Sequence, residues 1–163
     1  MFELRDLPDA TTLEGFGKRF PELDVSALQV VLRLARLGED LVRFMQDGLM
    51  RDGLSLRRFF VLVLLARNTA GLRAVSLAQK MGVTKATVSE VLAGMLRDRL
   101  VQSSADPKDS RAQLITLSQQ GKTVLDAALP GHYRRLAGVV EGLGSDKRAE
   151  LLRLLEVVGK GLE

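Results

Sequence analysis

Apolar positions recur at helical spacing along most of this chain and give way to alternation at one place, after the fourth predicted helix. Asp24 is a good N-cap, and residues 25–50 then keep Leu28, Val31, Leu32, Ala35, Leu41, Val42 and Met45 on one helix face. Val30, Leu34, Leu37 and Phe44 widen that stripe. A helix so apolar needs cover on more than one side, from a partner subunit or as the central helix of a monomeric bundle. Gly53 ends the segment, and Ser55 caps a second helix to about residue 67 whose Phe59, Phe60, Leu62, Val63 and Ala66 are expected inside. Residues 76–82 read as a short third helix and 84–99 as a fourth. Residues 100–104 and 113–117 have strand character on either side of Asp106-Pro107-Lys108-Asp109-Ser110-Arg111, a polar stretch with a turn-forming proline. Ser118 caps a fifth helix that Pro130-Gly131 is expected to kink or interrupt. Ser145 caps a last helix with a second wide stripe, Leu151, Leu152, Leu154, Leu155 and Val158. Residues 1–21 mix Gly, Pro and charge with Phe2, Leu7, Phe16 and Phe20, an irregular arm whose apolar side chains dock elsewhere.

The informative stretch is residues 76–91, SLAQKMGVTKATVSEV. Ser76 with Gln79 forms a capping box, Ala78 is small where the next helix must cross, and Gly82 supplies a left-handed turn. Thr84 caps the following helix, and Val88 and Val91 anchor it on the first. That order is what two helices need to meet steeply as a helix-turn-helix. On a wheel at 100° per residue Val88, Val91, Leu92, Met95 and Leu96 fall on one side, with Ala86, Ser89, Glu90, Ala93 and Arg97 on the other. A small, polar face with a basic start can enter a major groove and leave base edges within reach. The helix N-terminus adds positive dipole character toward phosphate. The same pair also fits a plain helical core with a solvated face. A strand, a polar hairpin with Lys108 and Arg111, and a second strand directly after it make the order of a winged helix.

Composition and charge narrow the function class. The 163 residues suffice for one domain with a real core, or a small module with an assembly element. Apolar residues make up 46% and aromatics 4%, without tryptophan, which favours helices packed through Leu, Val and Ala. Of the formal net charge of +4, residues 72–111 hold +3, seven basic residues against four acidic ones; a basic balance fits an anionic partner such as DNA but is also shared by many ordinary soluble proteins. No cysteine is present, so a disulfide framework, a thiolate nucleophile, a Cys-based zinc site and a thiol redox sensor are excluded. A single histidine, His132, leaves no catalytic His constellation and no His-rich metal site, so neither an enzyme nor a bound metal or cofactor is expected. No apolar run approaches the roughly 20 residues that span a bilayer, and the start has no signal-peptide core, so the expected location is the cytoplasm.

Over residues 26–158 the sequence resembles the MarR family, the multiple antibiotic resistance regulators. The resemblance rests on Leu77-Ala78, on Val83-Thr84-Lys85-Ala86-Thr87-Val88-Ser89, on residues 96–101, on Asp106-Pro107-Lys108-Asp109-Ser110-Arg111, and on Leu117 and Gly121. It implies a homodimer held by N- and C-terminal helices, a recognition helix in the major groove of double-stranded DNA with an inverted-repeat operator, and a wing arginine in the minor groove. Carried onto this chain, the DNA-binding set is Thr84, Lys85, Ala86, Thr87, Ser89, Glu90, Arg97, Lys108, Asp109 and Arg111, with Asp109 orienting Arg111. Ser110, Glu90 and residues 102–104 depart from the family, which often has basic residues there. Family members often bind small aromatic acids, and Phe44, Phe59, Phe60, His132 and Tyr133 are the corresponding effector candidates here. For each, a packing role is the competing reading.

The expected fold is mainly α with a small β-hairpin wing, a winged helix-turn-helix between dimerisation helices. Its expected divisions are an arm over 1–23, a dimerisation helix over 24–53, the winged helix over 54–118 and C-terminal dimerisation helices over 119–163. The expected function is a sequence-specific DNA-binding repressor released by a small effector, the alternative being a winged helix used for protein contacts.

Overall fold

The computed structural model describes residues 6–107 and 109–162, without the side chain of Ser110. Lys108 and the arm's Phe2 lie outside the described residues. Within them the chain forms seven helices and one two-stranded antiparallel sheet. It falls into two units, residues 1–47 and 48–163, with the second helix running across the division.

In the first unit, α1 (Ala10–Arg19) replaces the irregular arm that the sequence suggested. Asp9 starts it, its Oδ1 accepting the Thr12 N–H at 2.8 Å, and that bond holds the Asp9 carboxyl below its ordinary range. Gly15 and Gly17 mask the helix in the sequence, because glycine is a poor helix former. Gly17 has a local reason: a Cβ there would lie 2.9 Å from Val25 Cγ2. Leu13 is the buried side chain of α1, whereas Phe16 and Phe20, expected to dock, are exposed. Next, α2 (Val25–Arg51) begins where predicted, with Asp24 Oδ1 accepting from the Ala27 N–H at 2.9 Å and from Ser26 Oγ at 2.7 Å. Those bonds lower the Asp24 pKa. Along α2, Val30, Val31, Leu37, Leu41, Val42 and Phe44 are exposed and form an apolar stripe.

The second unit holds the core. After Leu49 and Leu54, α3 (Leu56–Ala66) starts at Ser55, whose Oγ accepts the Arg58 N–H at 3.4 Å. It buries Leu56, Phe59, Val61, Leu62 and Leu65, but Phe60 and Ala66, expected inside, are exposed. On a helical wheel Phe60 falls 100° past Phe59, outside the arc that Leu56, Phe59, Leu62 and Leu65 share. A short loop follows, where Leu72 pairs with Ile115 through two N–H···O bonds of 2.9 Å and so adds a third segment to the sheet's edge. Gly71 makes that approach feasible. Its φ is +88°, and a Cβ would sit 2.9 Å from Thr116 Cγ2 and 3.0 Å from the Ile115 carbonyl.

Leaving that bridge, the chain enters α4 (Ala74–Met81) with its N-cap at Arg73, three residues before the Ser76 of the predicted capping box. Ser76 is therefore inside the first turn and caps nothing. Gly82 closes α4 in the left-handed conformation at φ +63°, as expected. From there α5 (Lys85–Arg97) leads into β1 (Val101–Asp106) and β2 (Asp109–Leu117). The strands pair from Val101 opposite Leu117 to Ala105 opposite Gln113, then a bulge resets the register to Asp106 opposite Asp109.

Two joints fix the last helices. Ser118 Oγ accepts the Gly121 N–H at 2.9 Å and donates to the Arg99 carbonyl at 2.6 Å, tying the start of α6 (Gln119–Val139) to the end of α5. Pro130 does not interrupt α6. Leu125, Ala128 and His132 are buried before and after the proline, and their packing outweighs one absent backbone donor. Finally, α7 (Ser145–Lys160) has Gly144, not Ser145, at its N-cap; the Ser145 hydroxyl instead meets Asp146 Oδ1 at 3.1 Å. Every described residue of α7 is exposed, its leucines included.

Candidate nucleic-acid interface

The residues that meet DNA in the sequence-based reading all belong to the second unit. Thr84 ends the turn and caps α5: its Oγ1 accepts the Thr87 N–H at 3.1 Å and lies 2.9 Å from the Thr87 hydroxyl. Thr87 is thereby committed partly to the cap. Behind the helix, Val88, Leu92 and Met95 are buried, and burying each such side chain contributes about 1.5–3 kcal/mol. That packing fixes the rotation of α5, so Lys85, Ala86, Ser89, Glu90, Ala93 and Arg97 are all exposed together. At the far end Asp98 pairs with Arg58 at 2.7 Å, and Arg99 takes φ +55° to turn the chain into β1. Gly94 lets the Arg58 guanidinium lie against α5, 2.8 Å from where a Cβ would be.

The wing is the turn between β1 and β2. Arg111 is exposed, and its backbone N–H donates to Asp109 Oδ1 at 3.2 Å. Asp109 thus meets the Arg111 backbone, while its Oδ2 lies 3.5 Å from Arg73 Nη1. Arg73 also binds Asp106 Oδ2 with both Nε, at 2.7 Å, and Nη2, at 2.6 Å. Sequence reasoning passed over Arg73 and treated Asp106 only as part of a turn. Nothing local flags either residue, since 33 positions separate them and only the folded sheet brings them together.

The effector candidates fall in two places. Phe59 and His132 are core residues with ring centroids 4.6 Å apart, and His132 is 4% exposed. Burial, then the nearby Arg135 cation, lowers the His132 pKa from its ordinary 6.5, with Asp52 opposing the shift. Arg135 itself bonds Asp52 at 2.8 Å. Phe60 and Tyr133 extend the Phe59–His132 pair to the surface, with centroids 5.9 and 6.0 Å from their neighbours. Phe44 belongs to the other unit. A cavity of about 330 Å³ in the second unit has different walls, Leu65, Leu117, Lys122 and Leu125 among them.

Known proteins share this arrangement. The family model described as the MarR family matches residues 52–112, from the start of α3 to the wing. The HTH-type transcriptional repressor YetL of Bacillus subtilis (strain 168) is 28% identical over 154 residues, which is 94% of this chain and 92% of that protein. A MarR family transcriptional regulator from Streptomyces coelicolor, solved in complex with DNA, superposes with a TM-score of 0.76 at 25% identity, over 86% of this chain and 90% of the other. A MarR family regulator from Rhodococcus sp. RHA1 shares the fold with a TM-score of 0.70 at 21% identity, over 81% and 93% of the two chains. The helix-turn-helix and the wing fall inside the matched family model, and the chain as a whole is similar to MarR family transcriptional regulators.

Proposed function

We propose that this protein is a transcriptional regulator that binds double-stranded DNA sequence-specifically as a homodimer. The observation that carries the reading is the common exposure of a small, polar α5 face and of Arg111 on the wing beside it, within one unit. In this reading α5 enters the major groove, where Ser89 and Glu90 meet base edges and Lys85, Thr84 and Thr87 lie toward phosphate at the helix N-terminus. Arg97, Lys108 and Arg111 supply charge along the backbone, with Arg111 at the minor groove. The relative named as a repressor supports repression as the sign of regulation, and the DNA-bound neighbour supports the mode of binding.

The dimer follows from surface chemistry. Leu151, Leu152, Leu154, Leu155, Val157 and Val158 on α7 are all exposed, as is the apolar stripe of α2, and large exposed apolar patches mark association surfaces. A small aromatic effector completes the proposal. Phe60 and Tyr133 offer exposed ring faces on either side of the buried Phe59–His132 pair, and flat aromatic acids stack on such faces. Tyr133 is the sole tyrosine in a chain without tryptophan, so its fluorescence reports ligand directly. We read the protein as a binder and not a catalyst, because its one histidine is packed under Phe59. No helix of the described residues is long and apolar enough to cross a membrane, which agrees with work in the cytoplasm.

The test is selection of bound fragments from genomic DNA, followed by titration of the recovered fragment at several salt concentrations. A palindromic site with half-sites about one helical turn apart, and affinity falling steeply with salt, is expected. Recovery of no preferred fragment would instead favour a winged helix used for protein contacts.

A further inference from the structure

We propose that Arg73 is the positioning residue of the wing: from the N-cap of α4 it clamps Asp106 and Asp109 and so fixes where Arg111 stands relative to α5. The proposal rests on the DNA-binding reading above. Two hydrogen bonds from Nε and Nη2 converge on one oxygen of Asp106, a carboxylate only 8% exposed, and Nη1 reaches Asp109. The planar guanidinium makes such a fixed fork where an ammonium would make a single point contact. Asp106 and Asp109 are the pair on which the bulged register of the hairpin turn closes, and Asp109 Oδ1 also holds the Arg111 amide. A two-stranded hairpin has little stability of its own. Here its root is tied down by the Leu72–Ile115 bridge, and its tip is tied by Arg73, only one residue further along the same segment. That segment leads directly into the helix-turn-helix, so one short stretch of chain sets both the recognition helix and the wing.

The clamp has an electrostatic consequence as well. Two carboxylates in a wing repel phosphate, and the Arg73 cation lying against both offsets them. Neutralisation alone would act on DNA independently of Arg111. Positioning acts through Arg111, and the two are separable by a double-mutant cycle.

The experiment compares Arg73→Ala, Arg73→Lys, Arg111→Ala and the Arg73→Ala/Arg111→Ala double variant of the full chain. Each is titrated with the genomic fragment recovered by selection and with a random duplex, over a range of salt. In parallel, amide hydrogen exchange of residues 101–117 is measured without DNA. Arg73→Ala is expected to weaken binding by the same factor as Arg111→Ala, to lose about one unit of salt slope with it, and to cost nothing further in the double variant. Arg73→Lys should recover part of the affinity, and exchange at the wing should quicken in Arg73→Ala while that of α5 stays slow. Asp106→Asn, which keeps the side-chain shape, should reproduce the Arg73→Ala result and serves if that variant folds poorly. Additive losses in the double variant, or an unchanged exchange rate at the wing, would overturn the proposal. If wild-type protein bound neither duplex, the regulator reading would fail on its own, and wing exchange would still decide whether Arg73 holds the hairpin.

Discussion

The imidazole of His132 lies with its centroid 4.6 Å from the Phe59 ring, at 52°, and is almost wholly removed from water. The charged form is disfavoured there by burial first and by Arg135 second, with Asp52 pulling the other way. In the unfolded chain the same group takes up a proton near its ordinary 6.5. Its folded pKa is lower, so the unfolded state binds more protons below that pH. The stability His132 contributes is therefore intact above about 6.5, declines as the pH falls past it, and levels off once the folded pKa is passed. Urea midpoints measured from pH 8 to pH 5 should fall in this window for the native chain. His132→Leu, which cannot titrate, should flatten that slope. A native profile with no slope between pH 7 and pH 5.5 would show that His132 takes up its proton equally in both states.

Gly121 marks the tightest joint in the winged unit. A Cβ at this position would come 2.0 Å from the Leu100 carbonyl oxygen and 2.9 Å from Leu117 Cδ1, so α6 could not start where Ser118 caps it. Gly121→Ala should cost on the order of 1–3 kcal/mol from overpacking and lower the thermal midpoint by several degrees. Gly15→Ala, with nothing within 4 Å in the middle of α1, should instead stabilise by up to about 1 kcal/mol. Calorimetry of the two variants checks the pair, and an unchanged midpoint for Gly121→Ala would mean the α6 start can shift freely.

Much of this architecture was legible because it is local. Asp24, Ser55, Thr84 and Ser118 all cap the helices assigned to them, Gly82 takes its left-handed turn, and the outward set Ala86, Ser89, Glu90, Ala93 and Arg97 is exposed as the helical period requires. What the sequence hid depends on distant partners. The cap expected at Ser76 falls on Arg73, three residues earlier, because the Leu72–Ile115 bridge delivers the chain to α4 early. Pro130 is tolerated because buried residues of α6 lie on both sides of it. α1 was obscured by its glycines, and the Arg73–Asp106 contact cannot be read from spacing at all. The wing strands reach further than expected, to Asp106 and from Asp109, because backbone pairing continues past the apolar residues that signal a strand.

The exposed leucines of α7 give a direct test of assembly. Leu152 is 63% exposed and Leu155 43%, so replacing them removes little packing within one chain. The double variant Leu152→Glu/Leu155→Glu should sediment as a folded monomer at micromolar concentration, with unchanged helical circular dichroism. Loss of the two-fold arrangement should cost most of the affinity for a palindromic site while single half-site binding survives. A variant that remained dimeric would move the interface away from α7.

Arg111 and Glu90 should divide affinity from specificity. Arg111 is exposed on a hairpin tip, where a cation gains from the negative potential of a minor groove or its phosphates but reads sequence poorly. Arg111→Ala should therefore weaken the selected fragment and random duplex alike and reduce the salt slope by about one. Glu90 stands on the outward face of α5, one residue beyond Ser89, on a helix whose rotation is fixed by Val88, Leu92 and Met95 behind it. A carboxylate there accepts from a cytosine amino group and repels every phosphate it passes. Glu90→Ala should lose about 1–3 kcal/mol of discrimination at one base pair per half-site, while random duplex binds equally well or better. Titration of the selected fragment, its single-base variants and random duplex with both proteins separates the two roles. If Glu90→Ala left every base preference intact, the outward face of α5 would not be reading bases at that position, and the recognition helix would have to be rotated or withdrawn from the groove.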